Sequence, residues 1–197
     1  DEKGIYFLRD SSEAFENKVV KITYQKFSDD VEKTFEAEPY FMKVANRRWY
    51  VIVRALHYVE KNKQNKTHDD EIRVYALDRI NNVEITDKTF KMDKDFDAEK
   101  FYDGCLGVMH TKDPKQRVLI KAYGGARNYM ETLPFHESQK IVSSDGESTV
   151  FEMNVKVTND FLQLVMMQGD MIEVLEPASV REQMKNFAKT LMKYYDK

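Results

Sequence analysis

Apolar and polar residues alternate in short runs along the first half of the chain, and this two-residue period predicts β-strands. β-Branched and aromatic side chains fill the runs, while Pro, Asn and Asp separate them. The predicted strands cover residues 19–24, 32–38, 40–44, 49–56, 73–77 and 83–85. Because closure removes exposed strand edges, many short strands with almost no helix predict a small closed barrel or a highly curved sheet.

Two segments of the first half lack this alternation. Residues 9–17 predict a short helix ahead of the first strand. Residues 60–71 consist mainly of Lys, Asn, Gln, His and Asp, which predicts a solvated hairpin loop between two strands.

The second half mixes the strand period with the helical one. Strands are predicted over residues 117–123, 138–143, 149–157 and 171–175. One helix is predicted over 126–133, and a second begins at the capping residue Thr158 and ends at Gly169. The order strand, helix, strand, strand, helix, strand predicts a ferredoxin-like domain. A long amphipathic C-terminal helix follows Pro177, with apolar residues at Val180, Met184, Phe187, Leu191 and Tyr194.

Neither period is sustained over residues 94–114, so we place the domain boundary there. The predicted organisation is an N-terminal helix or linker over 1–16, a β-barrel domain over 17–95, a linker over 96–114 and a ferredoxin-like domain over 115–197. The predicted fold class is therefore α+β.

Composition narrows the function classes. The formal net charge is −3, so the chain is not a globally basic nucleic-acid binder, and any site for a polyanion must be a local patch. Between Lys43 and Lys66 the only acid is Glu60, which leaves a basic stretch in the predicted barrel. No apolar run is long enough to span a membrane, and the single cysteine, Cys105, agrees with a reducing compartment. We therefore expect a cytoplasmic protein with no membrane partner.

Arginines and aromatic residues are interleaved in the first half, a combination that suits phosphates and stacked bases. On a strand, Arg73, Tyr75 and Leu77 share one face. An arginine beside a ring and an apolar residue is not expected to be fully solvated. The candidate ligand-binding residues are Arg73, Tyr75, Arg79, Trp49, Tyr50, Tyr24, Arg47 and Arg48.

Structural interpretations of the same residues stay open. Trp49 and Tyr50 are adjacent and point to opposite faces, so at least one of them is expected in the core. Arg79 follows Asp78 and could form an ion pair that holds the barrel closed. Arg47 and Arg48 lie at a predicted turn, where charges are usually solvated.

No constellation predicts catalysis. The four histidines are far apart, and their surroundings lack the spacing of a metal site. There is no nucleophile elbow, phosphate-binding loop or dinucleotide fingerprint. We therefore expect no enzyme activity, no cofactor and no bound metal.

Three sequence features together resemble the WYL domain. Trp49-Tyr50-Val51 is similar to the Trp-Tyr-Leu triplet that names the family, with Val51 in place of Leu. Residues 73–80 are similar to its second signature, although Ala76 stands where many members have another Arg. Residues 169–177 and the helix behind them resemble the C-terminal extension of the family, so the resemblance covers nearly the whole chain.

The resemblance implies an SH3-like, Sm-like barrel, placed in bacterial transcription regulators behind a winged helix-turn-helix. It also implies a ligand-sensing module for a nucleotide or single-stranded nucleic acid, commonly in a homodimer. The chain contains no recognisable helix-turn-helix, so contact with DNA is expected through a domain ahead of Asp1. The alternative is a dimerisation or protein-interaction scaffold without a small ligand, which the amphipathic C-terminal helix and Met166-Met167 favour.

Overall fold

The computed structural model describes residues 17–28, 30–66 and 71–196. The chain divides into two compact units, the first ending at Ala98 and the second beginning at Glu99. Each unit contains one antiparallel sheet with helices, so the protein is mixed α+β. The helix predicted over residues 9–17 lies, except for Asn17, outside the described residues.

The first unit is a five-stranded sheet. Its elements are β1 (Lys18–Tyr24), β2 (Lys33–Ala45), β3 (Arg48–Ala55), α1 (Leu56–Asn65), β4 (Ile72–Ala76) and β5 (Ile80–Thr89). The strands are antiparallel in the order β4-β3-β2-β1-β5. Side chains at alternate positions of these strands, such as Val20, Ile22, Val51 and Val53, form a buried core.

The sheet is open among the described residues, so the highly curved sheet, one of the two predicted arrangements, is observed and a closed barrel is not. β4 and β5 are its edges, and no backbone pairing among the described residues joins them. The sheet is still strongly curved, because only the 3-10 turn Leu77–Arg79 connects the two edges. Tyr24 of β1 and Tyr75 of β4 have ring centroids 4.8 Å apart, whereas strands three places apart in a flat sheet are separated by about 14 Å. β4 is only five residues long before the 3-10 turn begins. The two edge strands therefore approach each other through side chains and not through a ladder of backbone hydrogen bonds.

β2 continues through Pro39, where the sequence predicts two separate strands. The register with β3 shifts between Pro39 and Phe41, so the proline lies at a bulge. Proline has no N–H to give to a ladder, and a bulge leaves such a position unpaired. The two predicted strands are one bent strand.

α1 covers residues 60–65 of the loop predicted over residues 60–71, and residues 67–70 lie outside the described residues. A network of polar side chains holds this helix against the sheet. The Arg54 Nε donates to Glu71 Oε2 at 2.9 Å, and Asn62 Nδ2 of α1 donates to Glu71 Oε1 at 3.2 Å. Glu38 lies 3.5 Å from Arg54 Nη1 and is buried. Burial raises the pKa of Glu38, whereas the hydrogen bonds from Arg54 and Asn62 outweigh partial burial and lower the pKa of Glu71.

Replacing Arg54 with methionine is expected to lower the free energy of unfolding of the first unit by about 2 kcal/mol, because Glu38 and Glu71 lose their shared cation. A fully buried pair costs about 3–5 kcal/mol to break, and Arg54 is partly exposed. Urea unfolding followed by circular dichroism measures the change. Arg48→Met is the control, since Arg48 forms a single ion pair among the described residues, with Asp78 at 3.2 Å, and that pair is partly exposed. Equal losses in the two variants would contradict the role of the network.

The second unit contains a four-stranded sheet. Its elements are α2 (Ala98–Tyr102), β6 (Gln116–Tyr123), α3 (Gly124–Thr132), β7 (Lys140–Ser144), β8 (Ser148–Val155), α4 (Asn159–Met166), β9 (Ile172–Glu176) and α5 (Ala178–Tyr195). The strands are antiparallel in the order β7-β8-β6-β9. The core contains Phe151, Phe161 and Val180, and the Thr158 hydroxyl accepts from the Phe161 N–H as the predicted cap of α4.

Charged side chains on this second sheet neutralise one another. Arg117 of β6 lies 2.6 Å from both Glu152 of β8 and Glu176 of β9. Lys140 of β7 lies 2.8 Å from the other oxygen of Glu152. These cations already have carboxylate partners, so this surface offers little to an anionic ligand.

Candidate functional site

Aromatic rings meet at the end of the first unit where its sheet curls. Tyr24 and Tyr75 pack edge to face, and the ring of Phe35 lies 5.0 Å from that of Tyr75. These residues come from β1, β4 and β2, which are brought together by the curvature and not by strand pairing alone. Burial raises the pKa of Tyr24 and of Tyr75, so both hydroxyls stay protonated at neutral pH.

α1 adds two more rings to this cluster because it begins directly after β3. His57 lies 5.0 Å from Phe35 and 4.3 Å from Tyr58, between ring centroids. Burial and the neighbouring Arg73 lower the pKa of His57, which is therefore uncharged at pH 7. The positive charge at the site accordingly comes from lysines and arginines.

Arg73 and Arg79 lie against rings and have no carboxylate partner among the described residues. The Arg73 guanidinium carbon is 4.0 Å from the centre of the Tyr58 ring. The Arg79 guanidinium carbon is 4.5 Å from the centre of the Phe27 ring and 5.4 Å from that of Tyr24. The Nε of Arg79 is buried and has no acceptor among the described residues. A buried donor left unpaired costs about 1–3 kcal/mol, so this arginine is held ready for a group that the described residues do not supply.

Other described arginines show the usual alternative. Arg48, Arg54, Arg117 and Arg181 each form an ion pair with a carboxylate. Arg73 and Arg79 differ from these four, because no carboxylate of the described residues pairs with either of them. The two guanidinium groups beside the rings are therefore suited to pairing with an external anion.

Two adjoining clefts contain these residues. The aromatic cleft has a volume of about 460 Å³ and is lined by the rings of Phe35 and His57 and by Lys33. The arginine cleft has a volume of about 440 Å³ and is lined by Arg73, Arg79, Phe27 and Ser28. Tyr24, Lys26, Tyr58 and Tyr75 line both clefts. Among the described residues neither lining includes Asp or Glu, so the two clefts together form an aromatic and cationic surface.

Four of the eight candidate residues line these clefts, namely Tyr24, Arg73, Tyr75 and Arg79. The other four lie outside both linings. Trp49 is 46% exposed on β3, and Tyr50 points to the opposite face from the core residue Val51. Arg47 is exposed in the β2–β3 turn at a φ of 63°, and Arg48 pairs with Asp78. Asp78 thus pairs with Arg48, and the ion pair with Arg79 that was left open as an alternative is not observed.

Tyr58, His57, Phe35, Lys26 and Phe27 belong to the site and were not among the candidates. Because residues 60–71 are polar, the sequence predicted a loop instead of α1, and the positions of His57 and Tyr58 were not predicted. One signal was present, because Val59 and Asn62, which are buried, stand three apart among Lys, Glu and Gln, all good helix formers. Lys26 and Phe27 lie in a loop, where no periodicity marks them.

The described residues contain no group of three or more His, Cys, Asp or Glu placed to hold a metal ion. Within the same part of the chain, no helix combines the length and apolar content needed to cross a bilayer. The arrangement at the clefts is suited to binding an anion with a flat aromatic group.

Comparison with known families gives two matches. The WYL domain model matches residues 12–85, and the WCX domain model matches residues 114–192. No curated protein matches the sequence.

Two solved structures are similar over nearly the whole chain. Proteasome accessory factor B/C of Arthrobacter aurescens is 14% identical with a TM-score of 0.40, over 100% of this chain and 28% of that one. A CRISPR Cas-related protein is 11% identical with a TM-score of 0.52, over 96% of this chain and 50% of that one. The chain thus spans half or less of each of these proteins, and the second similarity concerns the fold alone.

Proposed function

The chain is a WYL-domain protein with a WCX domain behind its WYL domain, and from that premise we propose that it senses a nucleotide or single-stranded nucleic acid. The ligand occupies the aromatic and arginine clefts of the first unit. The observation that carries this proposal is the pair Arg73 and Arg79, which lie on aromatic rings without a carboxylate partner among the described residues. The role is binding and signalling rather than catalysis.

The chemistry of the two clefts fits the two parts of a nucleotide. A guanidinium presents a planar fork of donors that matches phosphate oxygens. Exposed ring surface in the aromatic cleft stacks a base, at about 1–3 kcal/mol per base and with little dependence on its identity. Tyr24 and Tyr75 stay protonated and keep hydroxyl donors beside the same clefts.

The proposed consequence of binding is transcriptional regulation. A ligand biases an attached DNA-binding domain only if it binds one of two conformational states more tightly than the other. The cleft residues come from β1, β4 and α1, so a change in the arrangement of these elements would change the affinity for the ligand. We propose a bacterial regulator that works as a homodimer, with contact to DNA made by a helix-turn-helix domain outside the chain.

Finer assignments of the fold belong to the same proposal. The curved sheet of the first unit is proposed as an SH3-like domain over residues 17–95 whose edge strands meet without pairing. The second unit is proposed as a ferredoxin-like domain over residues 115–197, which its β-α-β-β-α-β order and the sheet order β7-β8-β6-β9 support. Its role is to transmit the signal or to complete the dimer.

Replacing Arg73 with alanine is expected to weaken binding of a labelled single-stranded oligonucleotide by about tenfold or more, because a charged hydrogen bond contributes about 1.5–3 kcal/mol. Fluorescence anisotropy at fixed salt measures the affinity. Arg117→Ala is the control, since it removes the same charge from the second unit, where Arg117 is already paired. Indistinguishable affinity of Arg73→Ala and wild type would remove the proposed site.

A scaffold role without a ligand has one observation in its favour. The last turns of α5 leave Leu191, Met192, Tyr194 and Tyr195 exposed, which gives a second copy of the chain an apolar surface to pack on. Light scattering on the same samples separates the two roles. A stable dimer that binds no oligonucleotide would favour the scaffold.

A further inference from the structure

We propose that the arginine cleft recognises a phosphomonoester, the phosphate at the end of a strand or on a free nucleotide, in preference to the phosphodiester inside a strand. This inference rests on the proposed function, since it specifies which part of a nucleic acid enters the clefts. It follows from the number of cations, from the acids that border them and from the single aromatic cleft beside them.

Three cations line the arginine cleft. They are Arg73, Arg79 and Lys26, and none of the three pairs with a carboxylate of the described residues. An internal phosphodiester carries one negative charge and two free oxygens. A terminal phosphate carries about −1.5 to −2 at pH 7 and has three acceptor oxygens. The terminal group therefore matches the charge of this cleft and offers acceptors to more of its donors, the buried Arg79 Nε among them.

Carboxylates border the arginine cleft on the side of Arg79. A neighbouring depression shares Lys26, Phe27 and Arg79 with it and is also lined by Asp30 and Asp78. A strand that continued past Arg79 would place its next phosphate beside these two acids, where like charges repel. The bound nucleic-acid strand accordingly ends at the arginine cleft.

The aromatic cleft lies on another side and shares four lining residues with the arginine cleft. It is lined by rings on four elements, β1, β2, α1 and β4, and by no carboxylate of the described residues, so its surface suits the flat face of a base. One base in the aromatic cleft and its phosphate in the arginine cleft make one terminal nucleotide. The arrangement selects the end of a nucleic-acid strand, because the cations face the terminal phosphate, the rings face the base and the acids repel any further phosphate.

The test compares single strands of about eight nucleotides, a typical site size, carrying a hydroxyl, a 5′-phosphate or a 3′-phosphate at the unlabelled end. A hydroxyl-ended strand one nucleotide longer controls for added charge. Anisotropy with the full chain is expected to show about tenfold tighter binding of one phosphorylated strand than of the longer control, as charge-assisted hydrogen bonds to the extra oxygens predict. Arg73→Ala and Arg79→Ala should remove this preference, and Arg117→Ala should keep it.

The outcomes separate this inference from the proposed function. Equal binding of phosphorylated and longer hydroxyl-ended strands, weakened by Arg73→Ala, would overturn the inference and leave the proposed function standing. Failure of every strand to bind, together with no binding of a nucleoside monophosphate in calorimetry, would overturn both. Displacement of the strand by a nucleoside monophosphate at similar concentration assigns the phosphomonoester to a free nucleotide. Displacement only by a phosphorylated strand assigns it to a strand end.

Discussion

Replacing Arg73 and Arg79 together with methionine is expected to lower the affinity for single-stranded nucleic acid at least about 100-fold. Each guanidinium contributes about 1.5–3 kcal/mol through charged hydrogen bonds to phosphate, and the two lie in one cleft. The slope of log affinity against log salt should fall by about 0.7 for each phosphate that the variant no longer neutralises. Anisotropy titrations at several salt concentrations measure both quantities.

The same double variant is not expected to lose stability. The buried Nε of Arg79 has no acceptor, and neither arginine has a carboxylate partner among the described residues. Methionine keeps the apolar contact with the rings of Tyr58, Tyr24 and Phe27 and removes the unpaired donor. Urea unfolding of the first unit should therefore give an unchanged or higher free energy of unfolding.

The matched control is Arg117→Met with Arg181→Met, which removes two charges from the second unit. Both arginines there have carboxylate partners at 2.6–2.7 Å. Binding and its salt slope should be retained, and stability should fall slightly, since exposed pairs contribute about 0–1 kcal/mol each. A double cleft variant that unfolded more easily and bound normally would show that Arg73 and Arg79 are structural.

The arginines of the first unit fall into two groups. Arg48 and Arg54 form ion pairs, whereas Arg73 and Arg79 form none with the described residues. A buried donor without an acceptor lowers the stability of the free protein. Under the proposed function, a bound ligand would supply the acceptor and recover that free energy.

Local pattern was sufficient for much of the fold. The strand predicted at 117–123 is β6, and the apolar spacing from Val180 to Tyr194 lies on α5. Such segments are predicted correctly because their burial follows a single period, 2 or 3.6 residues, along the chain. The interleaving of Arg73 with Tyr75 likewise placed both residues at the clefts.

Features that depend on distant residues were not predictable in the same way. α1 is mostly polar, and it is held by Glu71 and Arg54, which lie outside it in sequence. Whether Asp78 pairs with Arg79 or with Arg48 depends on how β3 and β4 are placed, because both cations are within reach in sequence or in space. Whether a curved sheet closes into a barrel is also a property of the whole sheet. The alternation of apolar and polar residues along each strand therefore could not decide between a closed barrel and a curved sheet.

Replacing Phe151 with alanine is expected to lower the free energy of unfolding of the second unit by about 3–5 kcal/mol, a large part of the typical 5–15 kcal/mol of a domain. Phe151 is 1% exposed in β8, and it pairs across the sheet with Ile120 of β6 and Ile141 of β7. Truncation leaves a cavity in the middle of the core. Urea unfolding monitored by circular dichroism measures the loss. Tyr129→Ala on α3 is the control, because Tyr129 is 73% exposed and its removal should change stability by less than about 0.5 kcal/mol.

The same variant tests where the ligand site ends. Every described residue that lines the aromatic and arginine clefts belongs to the first unit. Phe151→Ala should therefore bind the oligonucleotide with wild-type affinity in buffer, even though its second unit unfolds at a lower urea concentration. A parallel loss of binding and of second-unit structure as urea rises would mean that the second unit completes the site. Binding that persists until the first unit unfolds would locate recognition in the first unit alone and leave signal transmission or dimerisation to the second.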